Sequence, residues 1–257
     1  MTPTPLFDLS GKTAIVTGGA NGIGLASAQM LADYGAAVVV ADLDLADAQA
    51  ASDEIRSAGG RALAVDCDVT DDADRQRLVE RAVAEFGGVH VLVNNAGGGG
   101  AGRESPDDIT VEQFASVFRL NVFSAWRLSQ LCAPHMREAG YGSIVNITSM
   151  ASVNRSPAIS AYASSKAALN HMTANLAFDY GPHVRVNAVG PGAVRTGALE
   201  SVLTPEVEAK MLEHTPLERL GEPGDIAAAV LYFAAPASSW TSGQTLFVNG
   251  GGVQTLD

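Results

Sequence analysis

Thr13-Ala14-Ile15-Val16-Thr17, a β-branched and apolar run, leads without interruption into Gly18-Gly19-Ala20-Asn21-Gly22-Ile23-Gly24 and then into a helical pattern, Leu25 to Tyr34. Such a run reads as a buried strand. In the turn that follows, Gly18 permits a tight bend, Gly22 lets the backbone approach a pyrophosphate, and Gly24 lets helix and strand pack closely. A helix that begins there offers unpaired N–H groups and a partial positive charge to phosphate. A second strand, Ala36 to Ala41, ends at Asp42, about 20 residues beyond the glycines, where a ribose-reading acid belongs. A glycine pattern alone is weak evidence; strand, turn, helix, strand and acid in this order predict a dinucleotide-binding crevice.

Asp42 also separates the two nicotinamide dinucleotides. A carboxylate accepts hydrogen bonds from the 2′-hydroxyl of NAD and repels the 2′-phosphate of NADP. Neither Asn21 in the turn nor Leu43 after the acid supplies a cation for that phosphate, so the expected cofactor is NAD. The plainer alternative, a loop or cap acid, describes Asp44 and Asp47 better, because both stand where the next helix begins.

Strand-like and helix-like segments alternate to the end of the chain. Further strands read at Ala62 to Val65, Val89 to Val93, Ser143 to Thr148, Val184 to Val189 and Thr245 to Val248. Helices read at Leu45 to Ala58, Asp71 to Phe86, Val111 to Glu138, Tyr162 to Tyr180 and Asp225 to Ala234. The pattern predicts an α/β fold: one Rossmann-like, doubly wound parallel sheet of about seven strands with helices on both faces. No linker or repeat divides residues 1–257, so a single domain is expected. In such sheets ligands bind beyond the carboxyl ends of the strands, which gathers Gly18, Asp42, Asp68, Asn94, Ser149 and Pro191 at one edge.

The chain has 16 basic and 28 acidic residues, a net charge of −12. That balance argues against nucleic acid or an anionic membrane surface as a partner and leaves a small-molecule substrate. Cys67 and Cys132 are too few for a disulfide framework, and the five histidines are scattered without ligand spacing, so no metal site is expected. Residues 1–8 show no basic segment followed by an apolar one, no run suits a membrane helix, and a reduced cytoplasmic location is expected. Asn146-Ile147-Thr148 matches a glycosylation sequon but falls inside an apolar strand.

Tyr162 and Lys166, four residues apart and thirteen residues after Ser149, carry the chemistry. A tyrosine, with a reference pKa of roughly 10, is too weak an acid for proton transfer at neutral pH. A lysine one helical turn later shares its helix face, and an ammonium there favours the phenolate. Beside a hydride carrier the pair is an acid/base device for interconverting an alcohol and a ketone.

These motifs resemble those of the short-chain dehydrogenase/reductase family, and the resemblance spans essentially the whole chain. Thr17 to Gly24 is similar to the family's cofactor motif, Asn94-Asn95-Ala96-Gly97 to its structural motif, and Pro191-Gly192 with Thr196 to the segment touching the nicotinamide. Asn121, Ser149, Tyr162 and Lys166 fall in the order of its catalytic set. The resemblance implies that Tyr162 is the general acid/base and that Lys166 lowers its pKa and binds the nicotinamide ribose. It further implies that Ser149 orients the substrate oxygen and that Asn121 holds a water linking Lys166 to solvent. The cofactor contacts it implies are Gly18, Asn21, Gly22, Ile23, Gly24, Asp42, Asp68, Val69, Asn95, Ala96, Gly97, Tyr162, Lys166, Pro191, Gly192, Val194 and Thr196. For Asp68, flanking the adenine and capping the helix near Asp71 both stay open.

A finer resemblance, to the bacterial 7α-hydroxysteroid dehydrogenases, rests on Asn94 to Gly100, Leu120 to Ser124, Ile147 to Ala151, Tyr162 to Ala168, Thr204 to Pro216 and the ending Gly250 to Gln254. It implies NAD-dependent oxidation of a hydroxysteroid and a homotetramer. Other alcohols, such as a sugar or a xenobiotic carbonyl compound, remain alternatives, as do an oxoacyl carrier-protein reductase and a non-catalytic NAD-binding protein. Between Thr196 and Pro216, within a substrate segment around 192–219, Leu199, Val202, Leu203, Val207, Met211 and Leu212 recur at helical spacing. They form either an apolar lid over a large flat substrate or a helix packed on its own core. Gly97 to Gly100 and Gly102 leave room beside the nicotinamide or form a mobile loop.

Overall fold

The computed structural model describes residues 5–99, 105–200 and 203–252. Gly100, Gly102, Val202, Val253 and Gln254, all used in the reading above, lie outside them. The strands are β1 (Thr13–Thr17), β2 (Ala37–Asp42), β3 (Arg61–Asp66), β4 (Val91–Asn94), β5 (Gly142–Ile147), β6 (Val184–Pro191) and β7 (Thr245–Val248). Among the described residues these seven form one sheet, in the order β3-β2-β1-β4-β5-β6-β7, with every pairing parallel. The order reverses between β1 and β4, and a crevice opens at their carboxyl ends because the connections leave in opposite directions there.

Each strand sends alternate residues to opposite faces. Ala14, Val16, Val38, Val40, Val91 and Val93 pack against α1 (Gly22–Asp33), α2 (Leu45–Ser57) and α9 (Pro223–Ala234). Ile15, Val39, Leu92 and Ile144 face α3 (Asp72–Phe86), α5 (Ser124–Glu138) and α6 (Ser160–Tyr180). With both faces covered, β1, β4 and β5 are buried at every residue, which is why they read as largely apolar runs rather than alternating ones. Burying each such Val, Leu or Ile contributes about 1.5–3 kcal/mol.

Among the described residues the remaining α-helices are α4 (Val111–Phe118), α7 (Gly197–Glu200) and α8 (Pro205–Leu212). Strand ends differ from the expected ones by one or two residues. The helix expected over Val111 to Glu138 is interrupted by a π-turn at Arg119–Phe123, where Ser124 N–H reaches back to Arg119 O. The wider turn carries Asn121 and Val122 into the interior, where Asn121 finds partners that a regular helix would not offer. The sequon asparagine is interior: Asn146 accepts from Asn94 and donates to Thr173 Oγ1. Among the described residues no helix is long and apolar enough to cross a membrane.

Candidate active site

The glycine turn is built to exclude side chains. Gly18 and Gly22 have φ of +58° and +53°, in the left-handed region that favours glycine. A Cβ on Gly24 would collide with the Gly18 carbonyl oxygen and stand 2.6 Å from Asn95 Nδ2, so the start of α1 lies directly on the turn. The turn is held from two sides. Asn95 Nδ2 donates to Thr17 O and Gly18 O, each at 2.9 Å, and Thr17 Oγ1 accepts the N–H groups of Asn95 and Ala96 at 3.1 and 3.0 Å. Asp42 Oδ2 accepts Ala20 N–H at 3.0 Å, while its Oδ1 accepts Leu43 N–H at 2.8 Å. Asp42 therefore braces the turn as well as facing the crevice. Asp44 is the acid that caps α2, by accepting from Ala46 and Asp47 N–H.

Asp68 resolves similarly. Its Oδ1 accepts from Thr70 N–H and Oγ1, and Asp71 is the residue that caps α3. Asp68 and Val69 both line the crevice. Cys67 beside them is buried, and burial foremost, then the Asp74 charge, pushes its thiol up to about 12.

At the other end, α6 carries Tyr162 and Lys166 on one face, opposite the end of β5. Lys166 is 4% exposed, and its Nζ donates to Ile147 O at 2.8 Å. Burial lowers its pKa from 10.5 to about 8, so at neutral pH the ammonium form still dominates. That Nζ lies 5.9 Å from the centroid of the Tyr162 ring, close enough for its charge to favour a phenolate. Ser149 follows β5 as the cap of a short 3₁₀ turn (Met150–Ser152), and its Oγ accepts Ala151 N–H at 3.1 Å.

Asn121 sits behind the site at 2% exposure. Its Nδ2 donates to Gly98 O and Ser165 Oγ, both at 2.9 Å, and its Oδ1 accepts Gly98 N–H at 3.0 Å. A Cβ on Gly97 would stand 2.8 Å from Asn121 Oδ1 and 3.1 Å from Lys166 Nζ. The bare Cα of Gly97 thus keeps open the space between amide and ammonium.

One cleft of about 950 Å³ connects these parts. Gly18, Asn21, Gly22, Ile23, Asp42, Asp68, Val69, Asn95, Ala96 and Gly97 line it on the β1–β4 side, and Ser149, Tyr162, Lys166, Pro191, Gly192, Val194 and Thr196 on the other. Of the residues expected at the site, Gly24 and Asn121 do not line it: one supports the turn from beneath, the other supports Gly98. A Cβ on Gly22 would meet Thr196 Cγ2 at 3.3 Å, so the turn and the segment after β6 face each other closely. Leu120, Thr148 and Ala193 also line the cleft and were not among the expected site residues; nor was Thr17, read only as the start of the cofactor motif, whose hydroxyl organises the turn from a strand end.

The segment after β6 resolves into α7 and α8, with Leu199 and Met211 against the cleft and no residue of α8 fully buried. Arg195 ties it down, pairing with Glu208 of α8 at 2.6 Å and with Glu222 at 3.6 Å. Among the described residues no group of three His, Cys, Asp or Glu side chains could hold a metal ion.

A family profile described as enoyl-(acyl carrier protein) reductase matches residues 18–252. The 7α-hydroxysteroid dehydrogenase of Escherichia coli strain K12 is 50% identical over 250 residues, 97% of each chain. The 4-formylbenzenesulfonate dehydrogenase of Comamonas testosteroni is 39% identical over 251 residues, 95% of this chain and 99% of that one. Among solved structures, a 7α-hydroxysteroid dehydrogenase complexed with NADH and 7-oxo glycochenodeoxycholic acid is similar over 100% of both chains, with a TM-score of 0.95 at 48% identity. Sheet order, glycine turn and near full-length identity agree, and the chain belongs to the short-chain dehydrogenase/reductase family.

Proposed function

We propose that this protein is an NAD-dependent oxidoreductase that interconverts a secondary alcohol and a ketone on a hydroxysteroid, at the 7α position. The observation that carries the reading is the single cleft with Asp42 at one end and Ser149, Tyr162 and Lys166 at the other. The cleft fits NAD: Gly18, Gly22 and Gly97 leave space that a side chain would fill, and Asp42 lines it with no cation from Asn21 or Leu43 beside it. Gly18 to Ile23 would hold the pyrophosphate, Asp42 the adenosine ribose, Asp68 and Val69 the adenine, and Asn95 to Gly97 with Pro191 to Thr196 the nicotinamide half. NAD, when bound, supplies the hydride acceptor.

The protein supplies alignment and the proton. In alcohol oxidation Tyr162 takes the hydroxyl proton as its phenolate, and in ketone reduction it returns one. Lys166 stabilises that phenolate with a charge held at a fixed place by Ile147 O. Ser149 donates to the substrate oxygen and stabilises the charge that develops on it. Asn121 holds Gly98 and Ser165, and so the spacing between the glycine segment and α6; its backbone or Oδ1 is the place for a water leading from Lys166 outward. Leu199 and Met211, in the segment around 192–219, close over an apolar substrate. The 50% identical 7α-hydroxysteroid dehydrogenase supports the steroid assignment.

In the cell we place the protein as a single-domain homotetramer in the cytoplasm. Large apolar side chains left open on this chain, including Phe178 at 90% and Trp240 at 100% exposure, favour assembly. A second reading, oxidation of an aromatic alcohol or aldehyde, is favoured only by the 39% identical 4-formylbenzenesulfonate dehydrogenase. Incubation with NAD and bile acids bearing or lacking a 7α-hydroxyl separates the two: NADH should form only with the 7α-hydroxylated set. Equal rates on both, or none on either, would overturn the steroid assignment.

A further inference from the structure

We propose that Asn170 and Ser152 are positioning residues that set Ser149 against Tyr162 and Lys166, an inference that rests on the catalytic reading above. Neither lines the cleft, and they act through the backbone of Ser149. Tyr162, Lys166 and Asn170 stand four residues apart in succession on α6 and share a face. Lys166 reaches Ile147 O, and Thr173 Oγ1, about two turns further along, accepts from Asn146 Nδ2. Asn170 lies between these two anchors, so the same helix face grips the last residues of β5 and the turn that follows it.

The hydrogen bonds run in one direction. Ser152 Oγ donates to Ser149 O at 2.6 Å, which spends its only hydrogen. Its oxygen therefore accepts from Asn170 Nδ2, at 2.7 Å. Asn170 Oδ1 is buried with no hydrogen-bond partner among the described residues. Turning the amide over would offer Oδ1 the Ser152 proton but would take that proton away from Ser149. An amide that leaves its own acceptor unpaired while directing a donor at a hydroxyl is held by its surroundings for that donor. Ser149 Oγ belongs to the same turn through Ala151 N–H, and Ser152 N–H also donates to Ser149 O at 3.0 Å. A turn that rotates therefore carries the substrate-facing hydroxyl with it.

Four variants test this: Ser152→Ala, Asn170→Leu, their double, and Ser152→Thr, with Asn170→Ser in reserve should the leucine variant not fold. Three quantities are measured: kcat with NAD and a 7α-hydroxy bile acid, the NADH dissociation constant by fluorescence, and amide hydrogen exchange over residues 149–154. Each single variant should lower kcat by on the order of tenfold, since misplacement of a reacting group by 1 Å costs up to about a hundredfold. The NADH constant should stay within about twofold, a split that general loss of structure would not give. The double should be no worse than the poorer single, because both remove one strut, and threonine, which keeps the hydroxyl, should restore most of the rate. Wild-type kcat in both singles, or multiplied losses in the double, overturns the proposal. If the wild-type protein oxidises no hydroxysteroid, the functional reading fails, and exchange alone decides the strut: faster at Ser152 in both singles upholds it, unchanged rates overturn it.

Discussion

Lys166 Nζ donates to Ile147 O at 2.8 Å, so the ammonium is fixed at the end of a strand buried on both faces. The contact holds the charge beside Tyr162 and takes it almost wholly out of water. Fixing a cation there is useful for proton transfer and unfavourable for folding, which sets up the first prediction.

Burial holds Lys166 at about 8, against 10.5 for an ordinary lysine. Between those values the unfolded chain binds more protons than the folded one, so stability rises with pH across that window; below about 8 the full penalty applies. Lys166→Met should therefore raise the unfolding free energy at pH 7, by as much as roughly 3 kcal/mol from the size of the shift. It should also remove the gain seen between pH 8 and 10.5 and abolish turnover. Urea melts at pH 7 and 9.5 measure it, and a variant less stable than wild type at pH 7 would contradict the account.

Gly24, beneath the glycine turn, and Gly97, in the cleft wall, should respond differently to alanine. At Gly24 the new methyl strikes the Gly18 backbone, which cannot move without the turn, so Gly24→Ala should cost about 1–3 kcal/mol and weaken NADH binding at least tenfold. At Gly97 the methyl's close contacts are the side-chain atoms Asn121 Oδ1 and Lys166 Nζ, with the Asn95 carbonyl oxygen at an ordinary 3.7 Å. Gly97→Ala should fold, bind NADH more weakly than wild type, and lose most of its kcat. Calorimetry and NADH fluorescence titration read both.

Asp42 accepts from Ala20 and Leu43 N–H and still faces the cleft, while Leu43 beside it is largely exposed. Asp42→Ser with Leu43→Arg removes the repelling carboxylate and adds a phosphate ligand. The ratio of kcat/KM for NAD over NADP should fall by a hundredfold or more, on the order of 3 kcal/mol. The loss of the brace to Ala20 should lower the rate with either cofactor, so the ratio is the test.

At the amino-terminal ends of the strands, His90 Nδ1 accepts Thr13 N–H at 3.0 Å. Burial foremost, and then the nearby Lys12 charge, lower its pKa below 6.5. A lowered histidine contributes stability above its ordinary value that is lost as pH falls from about 6.5 through the folded value. Melting temperatures of wild type should drop more between pH 7 and pH 5 than those of His90→Leu. Parallel curves for the two proteins would show that the bond to Thr13 does not titrate.

How much of this was legible beforehand follows from the range of each interaction. The seven strands and the glycine corner depend on local period and on turns only a few residues long, and they read correctly to within one or two residues. The spacing of Tyr162 and Lys166 is likewise a property of a single helix turn. The long helix from Val111 to Glu138 read as continuous because its apolar pattern is continuous. At its interruption Asn121 bonds to Gly98 and Ser165, residues 23 and 44 positions away, which no local pattern records.

From the sequence alone came the sheet, the crevice and the shared helix face of Tyr162 and Lys166. Tertiary structure alone decided that Asn121 supports Gly98, that Asp42 braces the turn, that Thr17 gathers Asn95 and Ala96, and that Lys166 sits near 8. Periodicity and spacing record what neighbours along the chain do to one another. Desolvation and hydrogen bonds across tens of residues exist only after the chain has closed on itself.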